Sequence, residues 1–189
     1  NTSFSPIWVA PREAVLQGNY IYVADEWGLR IFDISDPANV RNVGQIQLMN
    51  TDEQCTLGVA VSGRYAYVAD AMTGVRIVDV NIPTSPQLVG TLASTGFTYA
   101  VAVSGNRLYA GNGDGTLQVA DVTDPANPLE LGRYRTPSAI SGLTVVGNQL
   151  YVSDGGGGVQ ILDVSNPAAI TLSASLDTPG EARQAVQLG

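Results

Sequence analysis

Short apolar runs separated by polar turns recur along the chain, and this alternation is the dominant pattern of the sequence. The runs are rich in Val, Ile and Tyr, whereas Gly, Pro, Asn and Asp fill the gaps between them, a distribution typical of β-strands. No window shows the apolar stripe of an amphipathic helix. The pattern therefore predicts an all-β fold.

Four runs, named A to D in chain order, make up one repeating unit. A glycine ends each run A, at Gly18, Gly63, Gly105, Gly147 and Gly189. The period of about 42 residues is typical of propellers, solenoids and repeat arrays. Four antiparallel strands per unit favour a β-propeller with four-stranded blades over a β-solenoid, which has shorter coils. Run C of the second unit, VRIVDV, is apolar at nearly every position, as expected for a blade covered on both faces.

The period divides a single domain of residues 1–189 into four complete repeats and two partial ones. We place the repeats at residues 14–58, 59–100, 101–142 and 143–184, with partial blades at 1–13 and 185–189. Residues 5–9 match run D, and residues 185–189 match run A. Three arrangements fit this order: part of a ring of about six to eight blades, an open arc completed by another chain, or a four-bladed ring with spare end strands.

Acidic and amide side chains stand at two fixed places in each unit. The turn between B and C opens with Asp25, Asp70, Asn112 and Asp154, and run C ends with Asp33, Asp79, Asp121 and Asp163. Such side chains cap their own turns, and the glycines that follow in the B–C turn accept positive φ. Ca²⁺ binding by the B–C aspartates and the nearby Asp114 is the alternative, because Ca²⁺ favours oxygen ligands. We predict turn capping.

Two stretches, YVADEWGLRIFDISDPANV from Tyr22 and YVADAMTGVRIVDV from Tyr67, resemble the LVIVD repeat. Run C stands as LRIFD, VRIVD, LQVAD and VQILD in the four units, so the resemblance covers about residues 14–189. That family is similar to propeller-forming families of bacterial and archaeal surface or exported proteins. The resemblance implies a propeller fold and an extracellular or cell-envelope location, and it carries over no catalytic residue. The third unit departs from the pattern at Ala110, Gly111 and Asn112, in its B–C turn.

Composition narrows the chemistry. The net charge is −8 and the sequence pI is about 4.2, so nucleic acid and anionic membranes are disfavoured partners. No apolar run is long enough to span a bilayer. The basic residues are all arginines, and without lysine or histidine the chain cannot build a Ser-His-Asp triad, a Schiff-base lysine or an imidazole metal site. The single cysteine, Cys55, forms no internal disulfide.

The loops that join D to the next A, and B to C, should share one face of a propeller, and loops carry function more often than the scaffold does. Trp27 at a loop tip suits an interface anchor or a sugar-stacking platform, although Trp27 and Phe97 could equally pack on a neighbouring blade. The longer connection at residues 48–58 is a further contact candidate. The candidate interaction residues are Arg12, Glu26, Trp27, Met49, Asp52, Glu53, Cys55, Met72, Phe97, Tyr99 and Arg183.

The sequence supports an enzymatic function less well than a binding function. Paired carboxylates could serve a glycosidase or lyase, but we interpret the loop acids as solvated surface groups. These acids are Glu13, Glu26, Asp52, Glu53 and Glu181. The glycine-rich DGGGG from Asp154 leads into a strand, and the chain has no lysine, so phosphate binding is not predicted.

The sequence therefore predicts a non-enzymatic module that binds a protein or glycan partner in the extracellular space or cell envelope. The alternative is a structural segment of a larger assembly, whose open blade edges are covered by neighbours. A third hypothesis is an enzyme that works with carboxylates alone. We predict no cofactor and no transmembrane segment.

Overall fold

The structure is a computed structural model that describes residues 10–48, 56–94 and 96–183. The described residues form sixteen β-strands and no helix. Blade 1 contains β1 (Pro11–Gln17), β2 (Tyr20–Asp25), β3 (Gly28–Asp33) and β4 (Arg41–Gln47). Blade 2 contains β5 (Thr56–Ser62), β6 (Tyr65–Asp70), β7 (Gly74–Asp79) and β8 (Gln87–Ala93). Blade 3 contains β9 (Thr98–Ser104), β10 (Arg107–Asn112), β11 (Thr116–Asp121) and β12 (Leu129–Arg135). Blade 4 contains β13 (Gly142–Val146), β14 (Gln149–Ser153), β15 (Val159–Asp163) and β16 (Thr171–Leu176).

Each blade is one antiparallel four-stranded sheet in which consecutive strands are neighbours. The predicted runs A to D are thereby confirmed as the four strands of a blade. Strands A of all four blades line a common central space, and strands D lie at the periphery. The all-β propeller architecture predicted from the sequence is confirmed.

Turn chemistry closes the hairpins as the sequence indicates. The glycines of the A–B turns, among them Gly18 and Gly63, have φ of 60° and 59°, a left-handed conformation that glycine adopts without strain. In the C–D turns the aspartate that ends strand C accepts the backbone N–H two residues later, as in the 2.9 Å bond from Ser35 to Asp33. This hydrogen bond lowers the pKa of Asp33.

Strand A begins earlier than its apolar run. β5 and β9 start at Thr56 and Thr98, polar residues that are fully buried. The pairing of β5 with β6 shifts register just after Thr56. The pairing of β9 with β10 shifts just before Asn112, the partner of Thr98. These bulges interrupt the alternation of apolar and polar residues by which a strand is recognised in the sequence. The hydroxyl of Thr56 lies within hydrogen-bond distance of the carbonyl oxygens of Asp25 and Gly28 in the preceding blade, which share its one proton. Thr56 therefore joins blade 2 to blade 1, and the backbone N–H of Thr98 joins blade 3 to blade 2 through the carbonyl of Ala71.

Three apolar cores join the four described blades. Leu29 and Ile31 of blade 1 pack with Val68 of blade 2, and equivalent positions fill the other two cores. Burying one such side chain stabilises the fold by about 1.5–3 kcal/mol. Each inner blade is covered on both faces, which explains strands that are apolar at nearly every position.

The four sheets form an open arc. A closed ring of four blades needs four interblade cores, and the described residues form three. Leu16 of blade 1 is 63% exposed and Leu176 of blade 4 is 62% exposed, whereas Leu92, at the position of Leu176 in blade 2, is 5% exposed. The partial blades predicted at residues 5–9 and 185–189 lie outside the described residues. The described part of the chain contains no helix with the length and hydropathy needed to cross a lipid bilayer.

Candidate functional site

The B–C turns and D–A connections lie together at one end of the blades, which we call the loop face. The N–H of Thr98 donates to the carbonyl of Ala71 at 3.3 Å, and the N–H of Gly113 donates to the carbonyl of Phe97 at 2.8 Å. The D–A connection after blade 2 is thus held between the B–C turns of blades 2 and 3. The common face predicted for these loops is confirmed.

Four large apolar side chains project from the loop face of blades 1 to 3. Trp27 is 39% exposed, Met72 and Phe97 are each 51% exposed, and Tyr99 is 38% exposed. The ring of Tyr99 lies over Gly113, where a Cβ would come within 2.7 Å of the ring. The absence of a side chain at Gly113 therefore leaves room for this aromatic ring against the turn. We call these four side chains the loop-face patch.

Two charged pairs lie on the same face as the patch. Arg12 and Glu26 lie 3.4 Å apart beside Trp27, and Asp114 and Arg135 lie 3.4 Å apart on blade 3. The Thr116 backbone N–H and side chain, together with Arg135, lower the pKa of Asp114. An apolar centre within a polar, solvated rim is the usual anatomy of a protein interface.

The candidate residues of the longer first connection, Met49, Asp52, Glu53 and Cys55, lie outside the described residues. Arg183 is described, and its guanidinium stands 3.8 Å from the carboxylate of Glu181. The structure thus brings Arg12, Glu26, Trp27, Met72, Phe97 and Tyr99 to one face, and Arg183 to the rim of its central cavity.

A central cavity of about 210 Å³ opens among strands A of the four blades. Its lining includes Arg12, Glu13, Tyr99, Ser141 and Arg183, and Glu13 is the one acid among the lining residues that the structure describes. Burial raises the pKa of Glu13, while a 2.9 Å hydrogen bond from the Val59 N–H opposes that rise. A carboxyl group with a raised pKa is a candidate general acid, but acid-assisted glycoside hydrolysis ordinarily needs a second carboxylate across the substrate.

Buried carboxylates lie beneath the loop face, at the end of each strand B in blades 1 and 2. One Asp25 oxygen accepts the N–H groups of Trp27 and Gly28 at 2.8 and 3.1 Å, which confirms turn capping. The other oxygen pairs with the Arg30 guanidinium at 2.5 Å, and Asp70 pairs with Arg76 at 3.1 Å. Both oxygens of Asp25 are occupied by protein donors, an arrangement that favours a structural role over Ca²⁺ binding.

Blades 3 and 4 replace this ion pair with amides. Asn112 stands in place of the aspartate in blade 3 and accepts the hydroxyl of Thr98 at 2.8 Å. Asp154 in blade 4 accepts the side-chain amide of Gln160 at 3.2 Å and the N–H of Ser138 at 3.0 Å. The sequence carries a signal for this network, because the motif LRIFD has arginine where LQVAD has glutamine. No group of three or more potential metal-ligating side chains occurs within residues 10–48, 56–94 and 96–183.

The LVIVD repeat family matches the chain four times, at residues 12–47, 56–94, 95–136 and 139–178. A search of curated proteins finds no match to the sequence. Among solved structures, the computationally designed Ika8 protein is similar with a TM-score of 0.73 and 15% identity, over 95% of this chain and 53% of that one. The designed Ika4 protein has a TM-score of 0.67 and 15% identity, over 86% of this chain and 96% of that one.

A natural β-propeller is similar to this chain to the same degree. The β-propeller domain of Cps50 (Swd1) from Myceliophteria thermophila is similar with a TM-score of 0.67 and 15% identity, over 89% of this chain and 60% of that one. The chain therefore spans about half the length of Ika8 and less than two thirds of the Cps50 domain. At 15% identity these likenesses show the fold alone.

Proposed function

Because the chain belongs to the LVIVD repeat family and folds as repeated propeller blades, we propose that it is a non-enzymatic module that binds a protein partner through its loop face. The observation that carries this proposal is the loop-face patch of Trp27, Met72, Phe97 and Tyr99. Single exposed apolar residues are ordinary, and four of them at one end of three neighbouring blades support an interaction surface there.

The composition of the patch favours protein over other ligands. Trp, Tyr, Phe and Met are enriched at the centres of protein interfaces, and the three aromatic types bury large areas with few rotatable bonds. The Arg12–Glu26 pair supplies a polar rim beside Trp27, and exposed pairs of this kind guide orientation more than they add affinity. Glycan binding is the other reading of exposed aromatic rings, and the experiment below separates the two.

We propose an extracellular or cell-envelope location, as the family resemblance implies. Fractionation of the producing cell tests it directly. We expect the chain in the secreted or envelope fraction, and a chain confined to the cell interior would overturn the location.

Peptide-display selection against the folded chain, alongside a glycan array, tests the loop face. The selected ligands are then measured on the double variant Trp27→Ala/Phe97→Ala. A matched control is Ile82→Ala/Leu129→Ala, since these apolar residues are also exposed but belong to the C–D end of their blades. We expect the patch variant to lose at least about tenfold in affinity for most ligands, and the control to retain it.

Three outcomes would contradict the proposal. Equal losses in both variants would remove the special role of the patch. Binding on the glycan array, without peptide ligands, would replace the protein partner with a glycan. Hydrolysis of arrayed glycans that disappears in Glu13→Gln would make the chain an enzyme.

A second function is favoured by a separate observation, the exposed apolar faces at both ends of the arc. We propose that these faces are covered in a larger assembly, so that the chain also serves as a structural segment.

A further inference from the structure

The face of blade 1 that points away from blade 2 has the composition of an interblade core. We call it the blade 1 outer face, and it is formed by Leu16, Ile21, Val23, Phe32 and Ile34. The corresponding positions of blade 2 pack against blade 1 in the first core. These positions are Val61, Ala66, Val68, Val78 and Val80. The blade 1 outer face is thus built to receive a preceding blade.

A glycine in strand D fixes how successive blades dock. The carbonyl group of Pro83, in the C–D turn of blade 2, lies directly over the α-carbon of Gly44 in blade 1. Pro125 covers Gly90 in the same way. A Cβ on either glycine would stand 3.0 Å from the carbonyl carbon and closer still to its oxygen.

The third seam repeats this contact. A Cβ at Gly132 of blade 3 would stand 2.9 Å from the carbonyl carbon of Pro167 in blade 4. Closely packed interiors cannot absorb such overlap without moving backbone. Every described seam between blades therefore requires glycine at this position.

Blade 4 breaks the series at Ala174. Ala174 pairs with Ile161 across the ladder, as Gly90 pairs with Ile77 and Gly132 with Val119. The rest of the outer face of blade 4 keeps the residue types of a seam, with Tyr151 at the position of Tyr109. A methyl group thus occupies the place where the carbonyl of a following blade would dock.

We infer that the blade 1 outer face binds a further blade of the same repeat type that carries glycine at the Gly44 position of strand D. Pro37 of blade 1 corresponds to Pro83 and offers the docking carbonyl. Ala174 disfavours blade 4 of a second copy as that blade, so copies of this chain join head to tail less tightly than copies with glycine at this position. This surface is separate from the loop face, and the inference does not depend on the loop-face ligand.

Sedimentation velocity of mixtures tests this inference. The acceptor is the fluorescently labelled wild-type chain. The donor is Leu16→Asp/Ala174→Gly, which has a glycine on blade 4 but a disabled blade 1 outer face. The matched control donor is Leu16→Asp, which keeps Ala174. Because Leu16 is largely exposed, neither donor should unfold, and circular dichroism with thermal melting checks this.

We expect a one-to-one complex with the glycine donor and an association at least about tenfold weaker with the control donor. An acceptor that carries Leu16→Asp should bind neither donor. Equal association of both donors would overturn the role of Ala174. Failure of the glycine donor to associate would overturn the assignment of the blade 1 outer face.

Discussion

The seam between blades 2 and 3 and the outer face of blade 4 are made of equivalent strands, yet one is buried and the other is exposed. In the seam, Gly90 lies under the carbonyl of Pro125, and Leu92 is almost fully buried. On the outer face, Ala174 replaces the glycine, and Leu176 replaces Leu92 with most of its side chain in solvent. The comparison shows that the strands repeat with the sequence in all four blades, whereas the glycine that fits under the next blade's carbonyl is present in blades 1 to 3 and replaced by Ala174 in blade 4.

An Asp–Arg ion pair occurs both in a seam between blades and on the outer face of blade 1. Removing the arginine from the seam gives the largest expected loss of stability. Arg76 lies in the seam between blades 1 and 2 with 13% of its side chain exposed, and Arg30 lies on the side of blade 1 that no other described blade covers, with 33% exposed. Arg76→Met leaves the fully buried Asp70 without its cation and should cost about 3 kcal/mol. Arg30→Met should cost about 1 kcal/mol, because solvent reaches the Arg30–Asp25 pair and Asp25 keeps the N–H groups of Trp27 and Gly28 as donors. Urea unfolding measures both, and equal costs would contradict a difference between covered and uncovered faces.

The seam glycine gives the next largest effect. Gly90→Ala should reduce the free energy of unfolding by about 1–3 kcal/mol, because the new Cβ overlaps the Pro125 carbonyl. Gly96→Ala is the control, since its Cβ would meet only the side chains of Asp114 and Asn112, at 3.6 Å and beyond, and the change should stay within about 0.5 kcal/mol. Thermal unfolding followed by circular dichroism compares the two. A harmless Gly90→Ala would remove the glycine requirement on which blade stacking rests.

The C–D turn aspartates give the smallest effect, and it depends on pH. Hydrogen bonds from Thr123 lower the pKa of Asp121, and those from Ser35 lower the pKa of Asp33. A carboxyl group whose pKa is lowered by folding stabilises the fold above its unfolded pKa and loses that contribution as the pH falls through the folded pKa. Asp121→Asn should therefore destabilise the chain at neutral pH and become neutral in strong acid.

Asp33→Asn is the matched change on the uncovered side of the arc. The Asp121 turn presents the Pro125 carbonyl to Gly90, whereas the Asp33 turn belongs to blade 1, whose outer face meets no other blade of the described residues. We expect the loss at neutral pH to be larger for Asp121→Asn. A larger loss for Asp33→Asn in unfolding experiments across the acid range would reverse the comparison.

Much of the fold follows from local chemistry that the sequence displays. The strands and their turns were predictable because short apolar runs, glycines and aspartates recur in phase. The start of strand A was missed because Thr56 and Thr98 are buried polar residues beside a bulge. The strand D glycines also recur in phase, so the break at Ala174 was readable once their contact with the next blade was known.

The candidate site was predictable only in part. The common loop face follows from propeller topology, so residues such as Trp27 and Phe97 could be placed there. Their exposure depends on how each turn packs against its neighbour, which the spacing does not encode. The burial of Glu13 in the central cavity could not be predicted either, because it depends on how closely strand A of blade 2 approaches.

Cysteine labelling tests the open arc most directly. In a Cys55→Ser background, Leu176→Cys places a thiol on the outer face of blade 4, and Leu92→Cys places one at the equivalent position of a seam. Maleimide should modify Leu176→Cys at nearly the rate of the unfolded chain, whereas Leu92→Cys should react only on unfolding. Equal protection of both thiols in the folded monomer would show that blade 4 is covered and would contradict the open arc.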